Sequence, residues 1–282
     1  MSTKKRAVEV AVISDIHLGT YGCNAHELHR YLKSIQPKIL ILNGDIIDIW
    51  QFSKRYFPNA HMKIIKQIFS MAAKGVEVYY VTGNHDEMLR KFEGFTMGTL
   101  KIVNKLVLEL DGKKAWIFHG DVFDITMKHS KWLAKLGAIG YDSLILLNAM
   151  VNFFSVKLGK GKVSFSKRIK NSVKSAIKFI DDFENTAADI AISNGYDYVV
   201  CGHIHNPEIR KIANHEGQVT YMNSGDWIEN LTALEYKDKV WALYRYSNEI
   251  PLSKEAYEED DKSMDISVLY SNLLQEFQPK KV

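Results

Sequence analysis

Short apolar runs that stop abruptly at polar clusters organise this chain. Val8 to Ile13, Ile39 to Leu42, Val76 to Val81, Ala115 to Phe118 and Tyr198 to Cys201 are rich in β-branched and aromatic residues, and each predicts a buried strand. Between them the pattern switches to helical spacing. A helix is expected from about Ala25 to Ile35, ended before Pro37. Another is expected from Asn59 to Lys74, where Met62, Ile65, Ile68, Phe69 and Ala72 share a face and Gly75 offers a C-cap. Val103 to Leu110 and Lys114 to Phe118 flank Asp111-Gly112, a hairpin signal. Mixed pairing of this kind predicts an α/β (α+β) chain with two packed sheets and helices outside, not one doubly wound sheet.

After Phe123 the texture changes. Trp132 to Leu158 is aliphatic, Gly159-Lys160-Gly161 breaks the run, and a helix is expected from about Phe165 to Ser193. There Phe165, Ile169, Val173, Ile177 and Ile180 form one stripe, with Lys170, Lys174 and Lys178 every four residues beside it. Strands return at Val219 to Asn223, Leu231 to Tyr236 and Val240 to Tyr246, and Asn223-Ser224-Gly225-Asp226-Trp227 reads equally as a site border or a simple turn. Beyond Pro251 an acidic stretch precedes Ile266, Leu269, Leu273 and Leu274, which suit a docking helix. The expected organisation is a core of 1–123 and 195–250, a helical lid insertion at 124–194, and a tail at 251–282.

With 282 residues, 46% hydrophobic and 25% charged, the chain suits a globular protein with a full core. It contains no uninterrupted apolar run of roughly 18 residues, and its basic N-terminus leads into a strand, so a cytoplasmic protein is expected. Cys23 and Cys201 supply no disulfide framework and read as small apolar fillers. Net charge is only +4, yet from Ser143 to Ile180 no Asp or Glu accompanies Lys157, Lys160, Lys162, Lys167, Arg168, Lys170, Lys174 and Lys178. Such a segment is either a solvated basic face or a lid that binds an anionic ligand.

The five strands end in Ser14-Asp15-Ile16-His17, Gly44-Asp45-Ile46-Ile47-Asp48, Gly83-Asn84-His85-Asp86, His119-Gly120-Asp121 and Gly202-His203-Ile204-His205. One such cluster is weak evidence, because a lone His is more often structural. Five at strand ends point to a metal site at one edge of a sheet. Carboxylate, imidazole and amide oxygen suit Mn²⁺, Fe²⁺ or Zn²⁺, and the absence of cysteine from the motifs disfavours a structural zinc site. Two ions about 3.5–4 Å apart can clamp both sides of a displacement at phosphorus.

Together these motifs resemble the calcineurin-like metallophosphoesterase superfamily from the first strand to about residue 246. The resemblance implies a two-sheet β sandwich flanked by helices and two divalent ions, manganese foremost. Asp15, His17, Asp45 and His205 would hold the first ion; Asp45, Asn84, His119 and His203 the second, with Asp45 bridging. His85, oriented by Asp48, would face the leaving oxygen beside Asn84. Within the superfamily the chain is similar to the UDP-2,3-diacylglucosamine hydrolases of lipid A synthesis, which share the fourth and fifth motifs and an inserted helical lid. This implies an acylated sugar-nucleotide substrate, cleaved by metal-bound hydroxide to 2,3-diacylglucosamine 1-phosphate and UMP, and peripheral contact with a membrane surface. Lys167, Arg168, Lys170, Lys174 and Lys178 would bind substrate. The chain departs from the best-known members at His85, where they carry Arg. A general phosphodiesterase or phosphatase acting on nucleotides or phosphoproteins is the nearest alternative. A nucleic-acid-processing protein and a membrane-surface module without catalysis are the others; the aliphatic company of the basic residues disfavours nucleic acid.

Overall fold

The computed structural model describes residues 5–49, 57–125 and 166–247, with side chains left out at 125 and 166–175. The segment Trp132 to Leu158 and the tail beyond Pro251 lie outside the described residues. Among those described, two sheets face each other. The first has the order β12-β11-β1-β2-β3-β5-β4 and is built from β1 (Arg6–Ile13), β2 (Ile35–Asn43), β3 (Glu77–Val81), β4 (Thr96–Met97), β5 (Leu100–Val103), β11 (Thr232–Lys237) and β12 (Val240–Arg245). The second has the order β6-β7-β8-β10-β9, from β6 (Lys105–Leu110), β7 (Lys113–Phe118), β8 (Tyr198–Cys201), β9 (Glu208–Ala213) and β10 (Gln218–Asn223). Helices α1 (Ala25–Ser34), α2 (Asn59–Ala73) and α3 (Ser166–Ser193) complete the described core.

Strand periodicity explains the layers. In β1, Val10 and Val12 join Ile41, Val81, Ile117, Val200 and Met222 between the sheets, while Ala11 and Ile13 face the opposite way with Leu28, Leu32, Ile64 and Ile68 of α1 and α2. On the outer face of the second sheet, Phe183, Ala187, Ala188 and Ala191 of α3 cover Val199, Cys201, Val219 and Tyr221. The parallel strands β1, β2 and β3 are therefore buried on both faces, as their nearly unbroken apolar sequence requires.

Local signals are obeyed where backbone geometry enforces them. Asp111 and Gly112 have φ of 51° and 78°, the left-handed pair of a tight hairpin turn between β6 and β7. Pro37 falls inside β2 opposite Val8, but β3 pairs only from Ile39 onward, so on that side its missing N–H breaks no ladder bond.

Elsewhere the outcome differs from the sequence pattern. The apolar stretch expected as one strand from Val103 divides: Leu100–Val103 joins the first sheet beside β3, and Lys105–Leu110 begins the second. Strands β4 and β9 and the 3₁₀ turn Glu87–Phe92 have too short or too polar a signature to be read. On α3, of the expected stripe only Ile177 and Ile180 have described side chains: Ile177 is 55% exposed and Ile180 half-buried, whereas Phe183 and the alanines after it are buried. Small side chains let this helix approach the sheet closely. No helix among the described residues is long and apolar enough to cross a membrane.

Candidate metal centre

Parallel pairing brings the carboxyl ends of β1, β2 and β3 side by side, and the loops that leave them interlock. Asp15 N donates to Gly44 O, Ile16 N and His17 N both donate to Asp45 O, and Leu18 N donates to Ile46 O. The second sheet closes the ring. Gly202 N donates to His119 O, and Trp227 N donates to Asp15 O, so the segment Asn223–Trp227 borders the site.

Five of the predicted ligands sit in the left-handed backbone region: Asp15 (φ 51°), His17 (53°), Asp45 (53°), His203 (66°) and His205 (52°). That conformation costs roughly 1–2 kcal/mol for each L-residue. Full burial of one Ile or Leu contributes about 1.5–3 kcal/mol, so the strands behind these loops outweigh the strain. Strain kept at a polar cluster in this way is a mark of function.

The side chains meet in overlapping groups, each with potential ligand atoms mutually within 4.8 Å: Asp15 with His17 and His205; Asp45 with His119 and His203; His17 with Asp48 and His85. Asp45 Oδ2 lies 3.2 Å from His119 Nε2, and Asp15 Oδ1 lies 3.2 Å from His205 Nε2. His119 donates Nδ1–H to Asn43 O at 2.8 Å, which leaves Nε2 as the inward atom. Among the described residues, Asp15 Oδ1, His17 Nε2, Asn84 Oδ1 and His119 Nε2 are buried without a hydrogen-bond partner. An unsatisfied buried polar atom costs about 1–3 kcal/mol, and here such atoms gather at one place. Oxygen and imidazole donors in that number fit two divalent ions.

Charge in the cluster has the sense a cation needs. Burial alone would push the Asp45 carboxyl up, but the His119, His17 and His85 imidazoles hold it well below the usual carboxylate range. Asp15 is likewise lowered, burial being outweighed chiefly by His205. In return, against burial, Asp45 and Asp15 raise His119, and Asp15 and Asp226 raise His205 to about 9. The field that draws protons onto these rings will hold divalent cations in their place, with proton release.

Glycine makes the close approach possible. A Cβ on Gly83 would lie 2.2 Å from Asp45 Oδ1, and one on Gly44 2.3 Å from the His119 ring.

A sequence model of the calcineurin-like phosphoesterase family matches residues 8–207, the span that carries all five motifs. The chain belongs to this family. Calcineurin-like phosphoesterases hydrolyse phosphoester bonds with divalent metal ions, and the donor set suits that chemistry. Its relatives include the UDP-2,3-diacylglucosamine hydrolase of Aliivibrio fischeri, 23% identical over 240 residues that span 84% of this chain and 98% of that protein. Another is the enzyme of the same name from Photorhabdus laumondii, 25% identical over 242 residues, 80% of this chain and 94% of the other. Among solved structures, a novel archaeal phosphodiesterase aligns over 84% of this chain and 98% of its own length, with 14% identity and a TM-score of 0.42.

In this calcineurin-like phosphoesterase the residues expected from sequence to hold metal or act in catalysis, Asp15, His17, Asp45, Asp48, Asn84, His85, His119, His203 and His205, lie on the loops of the centre. Lys178 is exposed on α3, and the side chains of Lys167, Arg168, Lys170 and Lys174 lie outside the description. Three carboxylates that sequence reasoning left without a role also act here. Asp86 accepts from Gly83 N, Ile46 N and Tyr80 Oη, locking the β3 loop to the β2 loop. Asp226 accepts from Ile228 N and Glu229 N and lies 3.8 Å from His205 Nδ1. Asp124 meets His203. The run His119-Gly120-Asp121-x-x-Asp124 was the available signal for the last of them.

Proposed function

We propose that this phosphoesterase holds two divalent ions, Mn²⁺ foremost, and hydrolyses the diphosphate of UDP-2,3-diacylglucosamine to 2,3-diacylglucosamine 1-phosphate and UMP. The observation that carries the metal reading is the convergence of buried ligand atoms that make no hydrogen bond, on Asp15, His17, Asn84 and His119, two of them facing another candidate ligand across 3.2 Å. The substrate reading is supported by relatives of that name aligned over nearly their whole length. Ions bound there acidify water and neutralise charge that builds up on the phosphoryl oxygens.

The chain's own groups do the rest. Asp45, grouped with His119 and His203 and also under the influence of His17, would bridge the two ions, with its Oδ1 accepting the His85 N–H at 2.8 Å. His85 Nδ1 lies 2.9 Å from Asp48 Oδ2. In the metal-free chain Asp48, assisted by Asp45 and Asp15, raises the His85 imidazole against the effect of burial, and the hydrogen bond to Asp48 would hold the ring for proton donation to the leaving oxygen. The insertion at 124–194 would act as a lid whose apolar run from Leu144 to Phe154 takes the acyl chains, at about 0.8 kcal/mol for each CH₂ buried. Its Lys167, Arg168, Lys170, Lys174 and Lys178 would meet the phosphates, and its apolar and basic character would bring the protein to the cytoplasmic face of a bilayer.

A second reading, a general phosphodiesterase, is favoured by the His85–Asp48 pair itself, because the best-known UDP-2,3-diacylglucosamine hydrolases carry Arg at the His85 position. The test compares UDP-2,3-diacylglucosamine with UDP-glucosamine in Mn²⁺, with products identified by mass spectrometry. Release of UMP from the acylated substrate alone is expected. Equal turnover of both would reject the lipid substrate and leave the phosphoesterase.

A further inference from the structure

Four imidazoles belong to the predicted ligand set, and three of them are turned the same way. His119 Nδ1 donates to Asn43 O at 2.8 Å, His17 Nδ1 lies 3.3 Å from Asp48 Oδ2, and His205 Nδ1 lies 3.8 Å from Asp226 Oδ2. Each leaves Nε2 for the centre. His203 is reversed: its Nε2 lies 2.9 Å from Asp124 Oδ1. An ionised carboxylate only accepts, so this bond keeps the proton on Nε2 and the lone pair on Nδ1. A nitrogen that carries the proton binds no cation.

We propose that Asp124 is a positioning residue that turns His203 so that Nδ1, not Nε2, faces the ion shared with Asp45 and His119. The proposal rests on the two-ion reading above and assigns the orientation of one ligand within it.

The surroundings of Asp124 suit that role. It lies in the 3₁₀ turn Asp121–Ile125, which directly follows His119-Gly120. The turn is held at its start by Arg90, which donates to Asp121, and in its middle by Phe123, packed 5.5 Å from the Phe118 ring and 5.4 Å from that of Phe183. His203 is equally constrained. Its backbone has a φ of 66° with N–H donated to Asp15 Oδ2 at 3.1 Å, and its ring lies between His119 at 5.2 Å and Phe183 at 6.3 Å. With the backbone and ring plane fixed, the remaining freedom is a flip about the Cβ–Cγ bond. A flip would set a ring carbon against Asp124 in place of N–H, and the carboxylate opposes it. Partners of this kind typically change metal affinity by about 10- to 100-fold.

The experiment uses the full chain. Mn²⁺ binding is measured by calorimetry for wild type, Asp124→Ala, Asp124→Asn and His203→Ala, and the His203 tautomer is read from ¹⁵N shifts of histidine-labelled, metal-free protein at pH 8. Asp124→Ala is expected to bind one of two ions about 10- to 100-fold more weakly, as a milder form of His203→Ala, and to move the His203 ¹⁵N shifts away from those of an exclusively Nε2–H, carboxylate-bonded ring. Asp124→Asn keeps an acceptor oxygen and should restore both. Asp124→Leu, similar in size but without an acceptor, replaces Asp124→Ala should that variant unfold. Unchanged affinity with an unchanged tautomer overturns the proposal, as does equal weakening of both ions, which would mark a general structural role. Wild type binding fewer than two ions would overturn the two-ion reading instead, and the tautomer alone would then decide the role of Asp124.

Discussion

Asp48 Oδ2 is shared by two histidines, at 2.9 Å from His85 Nδ1 and 3.3 Å from His17 Nδ1. One carboxylate therefore orients both a predicted metal ligand and the histidine proposed to face the leaving oxygen. Asp48→Ala should lower kcat about 10- to 100-fold on bis(p-nitrophenyl) phosphate at saturating Mn²⁺ while the protein still folds. An unchanged kcat would remove the His85–Asp48 pair from the chemistry.

Gly83 tests how tightly the loops are packed. An alanine Cβ there would sit 2.2 Å from Asp45 Oδ1 and 2.6 Å from Asp45 N, and backbone cannot yield as a side chain does. Gly83→Ala should destabilise by about 1–3 kcal/mol and abolish Mn²⁺-dependent hydrolysis, because the displaced group is the carboxylate proposed to bridge the ions. Gly94, with φ of 82° and open space around it, is the control. Gly94→Ala should cost about 1 kcal/mol in urea unfolding and leave activity unchanged.

His61 predicts a pH dependence. It is buried on α2 and accepts the Gly19 N–H at Nδ1, 3.0 Å away, a bond that needs the unprotonated nitrogen. Burial, and secondarily His26, hold its pKa down to about 4 from 6.5. The unfolded chain therefore takes up this proton first as pH falls. The stability His61 contributes is complete above pH 6.5 and lost as pH falls through 4, on the order of 3 kcal/mol in all. Urea unfolding of wild type and His61→Gln across that window should show a shallower pH slope in the variant; parallel slopes would mean that His61 titrates normally in the fold.

Both cysteines are expected to be inert. Burial, with a smaller contribution from Glu27, pushes the Cys23 thiol up to about 12, and burial raises Cys201 well above its ordinary value. Almost no thiolate exists at pH 8. Iodoacetamide should leave the native protein unmodified over an hour and alkylate both thiols in guanidinium, as read by intact mass.

The parallel strands and the residues at their ends were legible in the sequence because both are local properties. A β-branched run followed by Gly, Asp, Asn or His writes a strand and its loop within about ten positions. Alternation then assigns each side chain to a face, as with Val10 and Ala11 in β1. The metal ligands were visible for the same reason: each motif is contiguous, even though the partners come from both sheets.

Tertiary structure alone decided which partners the elements find. Only Asn104 separates Val103 from Lys105, yet β5 pairs with β3 and β6 pairs with β7. Helix α3 buries Phe183, Ala187 and Ala188 and exposes Ile177, because its face is chosen by the sheet beneath it. The orientation of His203 depends on Asp124, a residue 79 positions away whose place just after His119-Gly120-Asp121 does not say which ring it will meet. Element type follows from backbone preference and local periodicity, which act within a few residues. Pairing, helix facing and the choice of imidazole nitrogen follow from contacts between distant segments, which exist only once the chain has folded.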